Sequence, residues 1–125
     1  MDRLVLCSSK PYGVKLVVGP VTADMVGDVY QTVELDLIAV KGKTEPARIF
    51  TVLEKKDAAA EKAHNLFLGH YRAGRWDRAL AMVHEMGPLW GGELATYYKM
   101  MQQRIYDLKT DEPLNWDGVY RATSK

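Results

Sequence analysis

Lys41 and Lys43 flank Gly42, and this trio is the strongest candidate for chemistry in the 125-residue chain. Glycine lets a ligand approach the backbone closely, and each ammonium is a compact positive charge, so the arrangement suits a phosphate. Taken alone, two such lysines read more simply as solvated charges that keep a turn soluble. Gly42-Lys43-Thr44 imitates the end of a P-loop, but that motif needs a glycine where Leu37 stands and a helix where a strand is expected. His64 and His70 lie six residues apart and diverge around a helix, whereas paired helical ligands stand four apart, and His84 belongs to another helix. All three histidines are expected at the surface or partly packed. Glu34 and Asp36 share one strand face and are expected at a solvated edge rather than as a working carboxylate pair. Cys7 has no neighbouring base in sequence and reads as a bystander rather than a nucleophile.

The elements that must position these residues follow from periodicity. From Val33 to Ala39 the odd positions are apolar, while the even ones change from Glu34 and Asp36 to Ile38 and Val40. Alternation that passes into an all-apolar run predicts a strand exposed at one end and buried on both faces at the other. Lys41 to Pro46 breaks the pattern, because Gly42 can take positive φ and Pro46 cannot donate to a ladder. Ala47 to Leu53 is again β-rich, so a hairpin is predicted. Before it, Val14–Val18 reads as a short strand closed by Gly19-Pro20, and Thr22 as the N-cap of a short helix. Arg3 to Lys10 could form the last turns of a helix, ahead of a break at Pro11-Tyr12-Gly13.

After Glu54 the β-branched residues thin out and helical spacing takes over. Asp57 can cap a helix to about Ala73, with Ala60, Ala63, His64, Phe67 and Tyr71 on one face, and Gly74 to end it. Trp76–Met86 is a second helix, stopped by Gly87-Pro88. A third runs from Leu89 or Glu93 to Leu108, with Leu94, Tyr97, Tyr98, Met101 and Ile105 as its core face rather than a cofactor box. Trp116 reads as an aromatic anchor in an otherwise polar tail. The expected fold class is α+β, with 1–56 β-rich, 57–110 a helical hairpin plus helix, and 111–125 a tail.

Composition sets limits on partners. Apolar content of 47% and charged content of 26% suit one globular core. A formal net charge of +1 gives no electrostatic case for nucleic acid or an anionic membrane. No apolar run nears the ~18 residues that span a bilayer, and the N-terminus lacks the pattern of a secretory signal. One cysteine cannot form an internal disulfide, which fits a reducing cytoplasm.

Glu34-Leu35-Asp36-Leu37-Ile38-Ala39-Val40-Lys41-Gly42-Lys43-Thr44-Glu45-Pro46-Ala47-Arg48-Ile49-Phe50-Thr51-Val52-Leu53 closely resembles the E-L-D-x-I-x-V-K-G-K-x-E-P-x-x-I-Y-x-L pattern that closes the catalytic domain of class III adenylate/guanylate cyclases. Ser9-Lys10-Pro11-Tyr12-Gly13-Val14-Lys15-Leu16-Val17-Val18-Gly19 is similar to the family's K-x-Y-G-V-x-I-V-V-G strand. The resemblance covers about residues 8–53. Gly74-Arg75-Trp76-Asp77-Arg78-Ala79-Leu80 resembles the middle of a tetratricopeptide unit, of which only about one and a half would fit where about three are needed for a free-standing array. The helices and Trp116-Asp117-Gly118-Val119 are similar to the C-terminal extension of a bacterial cyclase subgroup.

The resemblance implies an incomplete ferredoxin-like domain followed by a helical extension. It implies a parent reaction of ATP to cyclic AMP plus pyrophosphate at a dimer interface, with Mg²⁺ or Mn²⁺ held by two aspartates. Only the first lysine of V-K-G-K, which contacts the triphosphate, maps cleanly, onto Lys41. Arg3-Leu4 resembles the A-S-R-L of the family's catalytic arginine, with one more residue before Lys10 than the family has. The metal-binding aspartates, the purine-selecting pair and the charge-stabilising asparagine have no matching positions. The expectation is therefore a truncated cyclase that holds no cofactor of its own, is inactive as a lone chain, and meets ATP only in a complete cyclase. Two alternatives stand beside it. One is a non-catalytic module that pairs with an intact cyclase subunit. The other is an active cyclase with a misassigned start.

Overall fold

The backbone of β1 (Gln31–Ile38) and β2 (Ala47–Leu53) forms an antiparallel pair, in a computed structural model that describes residues 9–121. Glu34 faces Phe50 and Asp36 faces Ile49, so Leu35 is the extra residue of a β-bulge. The extra residue resets the alternation. Gln31, Val33 and Leu35 are buried before the break, and Asp36 and Ile38 are buried after it. The apolar run at the end of β1 is thus a change of face, and Leu37 stays half-buried rather than enclosed on both sides. Asp36, expected at a solvated edge, is fully buried, while Glu34 turns the other way.

The chain divides into two compact units. The first holds the hairpin, α1 (Pro20–Val26) and, after the helical segment, residues 119–121. Ala23 of α1 packs with Val18, Phe50 and Val52 in a small apolar cluster. The strand expected over Val14–Val18 is reduced to one antiparallel bridge, in which Val18 and Phe50 exchange backbone hydrogen bonds at 2.8 and 2.9 Å. Adjacent Val17 and Val18 are both buried, so the segment lacks the alternation of a half-buried strand. Thr22 is not the cap of α1. The helix starts three residues earlier because Pro20 brings its fixed φ to the first turn, with Gly19 as N-cap. The mixture of helix and antiparallel strand is α+β.

The second unit comprises Asp57–Gly118 with Pro11–Val14. In α2 (Ala58–Arg72), the Asp57 side chain accepts from the Ala60 amide at 3.0 Å, as an N-cap should. Gly74, at φ 76°, closes the other end. Its N–H donates to Tyr71 O and that of Arg75 to His70 O, which completes a Schellman motif. Trp116 covers this end, donating its indole N–H to the carbonyls of Tyr71 and Arg72 and lying 5.5 and 5.3 Å from the rings of Tyr71 and Trp76. α3 is Trp76–Val83, with Met86 still buried beyond its end, and α4 is Ala95–Thr110. The stretch from Leu89 to Gly92, expected as a possible start of the third helix, is a short 3₁₀ turn instead. Trp90, Gly91 and Gly92 all take positive φ there, which no α-helix accommodates. Among the described residues no helix is long and apolar enough to cross a membrane.

His64 is not a surface histidine: it is 1% exposed, ringed by Phe67, Trp90, Tyr97 and Tyr98. Trp90 Nε1–H can only donate, and it donates to Tyr98 Oη at 2.9 Å. Tyr98 Oη is in turn hydrogen-bonded to His64 Nδ1, also at 2.9 Å. This bond and the burial of its ring hold Trp90 at φ 60°, a conformation costing about 1–2 kcal/mol in a non-glycine residue.

Gly42 and Gly13 both have positive φ but different surroundings. A Cβ at Gly42 meets nothing within 4 Å, whereas one at Gly13 would lie 2.8 Å from Thr96 Cβ. Gly42→Ala is expected to lower stability by about 1 kcal/mol through backbone strain alone. Gly13→Ala adds a clash with α4 and is expected to cost about 3 kcal/mol. Urea unfolding followed by circular dichroism measures both, and equal losses would contradict this account. Burial raises the pKa of Tyr98, against a smaller lowering by the Trp90 hydrogen bond. The neutral phenol is therefore favoured in the folded state, and its stabilisation is complete below the unfolded value of about 10. Above that pH, stability is expected to fall as the unfolded state ionises first. Tyr98→Phe is expected to flatten this alkaline slope by one proton in urea midpoints taken across pH.

Candidate functional site

Ile38 and Ala47 are the last paired residues of the hairpin, and the chain between them crosses from β1 to β2. Val40 O accepts from Lys43 N–H at 3.0 Å, closing a four-residue turn with Lys41 and Gly42 at its centre. Gly42 has φ 84°, the positive value that a type II turn requires at its third residue. Lys41 and Lys43 are exposed on either side of it. Among the described residues neither ammonium has an ionic partner. The turn therefore presents Lys41 as an uncommitted point charge, able to meet an anionic oxygen without first breaking another contact.

The charged residues of the two strands are committed. Arg48 holds Glu34 through two hydrogen bonds, Nε to Oε2 at 3.0 Å and Nη2 to Oε1 at 2.9 Å. Its guanidinium also stands 5.2 Å from the centre of the Phe50 ring. The hydrogen bond to Glu34 raises the pKa of Arg48. Asp36 lies past the bulge on the buried face, where Oδ1 accepts from the Leu37 amide at 2.9 Å. The bulge thus separates the two carboxylates that sequence spacing placed on one face. Arg3 and Cys7 lie outside the described residues.

The cyclase resemblance implies Mg²⁺ or Mn²⁺. Among the described residues no three His, Cys, Asp or Glu side chains converge to hold a metal ion. Glu34 is engaged by Arg48 and Asp36 by backbone, so these two do not fit a two-carboxylate metal site. Of the histidines, His64 is enclosed by aromatic rings and His84 is exposed on α3's far end.

A charged cleft in the second unit has no signal in the sequence. Arg75, Trp76, Arg78, Lys109 and Glu112 line about 670 Å³ between the start of α3 and the end of α4. Asp77 pairs with Lys109 at 2.6 Å, and that hydrogen bond raises the pKa of Lys109. Arg75 Nε donates to His70 Nδ1 at 2.9 Å. The cleft mixes both signs of charge, and its two sides come from segments too far apart in the chain for spacing to reveal. The Lys41 turn is the better candidate because its charge has no ionic partner among the described residues and its backbone geometry is built for exposure. No protein-family model, no curated protein and no solved structure matches the chain, so the residues and their geometry carry the functional reading alone.

Proposed function

We propose that the chain is the C-terminal portion of a class III nucleotide cyclase, with its catalytic-domain part of ferredoxin-like type and a helical extension behind it. The observation that carries this reading is the Glu34–Leu53 hairpin, whose turn leaves Lys41 exposed where the resembling pattern has its triphosphate lysine. In the parent reaction the 3′ oxygen of ATP bonds to the α-phosphorus while the bond to pyrophosphate breaks. Lys41 contributes a positive charge beside the departing pyrophosphate, where negative charge accumulates. The metal chemistry belongs to family residues that precede this segment.

The purified 125-residue chain is expected to form no cyclic AMP from ATP with Mg²⁺ or Mn²⁺. Translation of the genomic DNA upstream of the Met1 codon in all three frames is expected to reveal the two metal-binding aspartates. In the protein extended by that sequence, Lys41→Ala is expected to lower kcat by about 100-fold, the scale of losing one charge aimed at the transition state. Lys43→Ala is expected to change it little. Turnover by the lone chain, or an unaltered rate in Lys41→Ala, overturns the reading.

A second reading rests on the surface of the first unit. Val21 and Met25 of α1, and Val29 after it, are 58%, 77% and 69% exposed. Apolar side chains grouped this way suit a protein partner. In this reading the chain is a non-catalytic module that covers the patch by pairing with an intact cyclase. Co-purification with a full-length class III cyclase of the same cell is the expected outcome, weakened by Met25→Glu. Absence of any complex at micromolar concentrations removes it.

A further inference from the structure

We propose that Val119–Arg121 is a strap that positions the Lys41 turn, with Tyr120 as the positioning residue acting through its backbone. This rests on the reading of Lys41 as a phosphate contact, but its structural half can be tested separately. Tyr120 N–H donates to Leu37 O at 2.8 Å, and Ala39 N–H donates to Tyr120 O at 3.0 Å. These two bonds form a parallel bridge between Tyr120 and Ile38. They bracket the last ladder residue of β1 and stop one residue short of Val40, where the turn begins.

The opposite edge of β1 cannot do this work. Pairing with β2 ends at Ile38 and Ala47, and Ala39 lies beyond it. The strap therefore extends the ordered length of β1 by one residue, up to the stem of the turn. Val119 is buried, and Arg121 Nη1 folds back to the Val119 carbonyl at 3.3 Å, which fixes both ends of the three-residue segment. A lysine side chain has large rotamer freedom, so the direction it can sample depends on how firmly its Cα is held. Tethering the stem narrows that range before any ligand arrives, which is preorganisation.

Chemistry on the Tyr120 ring plays no part in this, so the variants separate backbone from side chain. Tyr120→Pro removes the N–H given to Leu37, while Tyr120→Ala keeps both backbone bonds. Amide hydrogen exchange of the full chain, read by NMR, is the measurement. Tyr120→Pro is expected to accelerate exchange at Ala39 and Lys43 by about tenfold, the effect of opening a local hydrogen-bonded segment. Amides of Val33 and of α2 are expected to keep their rates, and Tyr120→Ala to match the parent chain. A chain ending at Gly118, or Ala39→Pro read at Lys43, gives the same local result should Tyr120→Pro lose its fold. Unchanged exchange at Lys43, or acceleration spread equally over Val33 and α2 in all three variants, overturns the strap.

Tripolyphosphate then probes the site itself, read from the amide shifts of Lys41 and Gly42. Binding to the parent chain is expected, with affinity several-fold lower in Tyr120→Pro and lost in Lys41→Ala. No shift in the parent chain, together with the local exchange change, sinks the phosphate reading and leaves the strap in place. A shift of equal affinity in the parent chain and Tyr120→Pro sinks the positioning role.

Discussion

One inserted residue in β1 governs the first unit. Leu35 sits opposite no partner of its own, and that slip sends Asp36 and Ile38 to the face that Val33 and Leu35 occupied before it. Because side chains alternate strictly along a strand, a shift of one reassigns every later position. Without the bulge, Leu37 would take the buried place and Asp36 would share solvent with Glu34. With it, Glu34 is left on the opposite face to meet Arg48, and the end of β1 reaches the Val40–Lys43 turn in the orientation that exposes Lys41.

The second unit packs two groups of rings together with buried aliphatic residues such as Leu94, Met101 and Ile105. Tyr71, Trp76 and Trp116 pack around the C-terminus of α2, and His64, Trp90, Tyr97 and Tyr98 form another group. Each group carries its polar atoms inward and pairs most of them. Trp116 satisfies carbonyls at the helix end, Arg104 donates to the Tyr71 hydroxyl, and Tyr98 takes the Trp90 indole. Trp76 Nε1 is buried without an acceptor among the described residues. Aromatic side chains bring large apolar area with few rotatable bonds, which lets a small unit gain order at modest entropy cost.

Local signals were legible where one residue dictates one conformation. Asp57 as a cap, Gly74 as a helix stop, Gly42 in a turn and the core face of α4 are all visible in residue type and spacing. What spacing could not show was a change of register. The bulge at Leu35 has no glycine or proline to mark it, so alternation put Asp36 at the surface. Burial of His64 escaped notice for a related reason: its partners Trp90 and Tyr98 come from segments far along the chain, and a polar ring on a helical stripe has no local mark of enclosure. Val14–Val18 had strand composition but only one residue within reach of β2. As for the candidate site, Lys41 was legible as a residue and its exposure as a turn. The strap at Tyr120 was not, because a backbone contact between distant segments leaves no trace in side-chain identity.

All three tryptophans of the chain, Trp76, Trp90 and Trp116, belong to the helical unit. Trp90 donates to Tyr98 Oη and Trp116 to the α2 carbonyls, so their surroundings are polar in known ways and will differ from water once the unit opens. The hairpin unit contains none. Intrinsic tryptophan emission is thus a selective reporter: it follows the fate of the helices and is blind to the sheet that carries Lys41. A denaturation curve recorded by fluorescence and one recorded by a sheet-sensitive probe coincide only if the two units melt as one cooperative body, and their separation measures how independently each holds its fold.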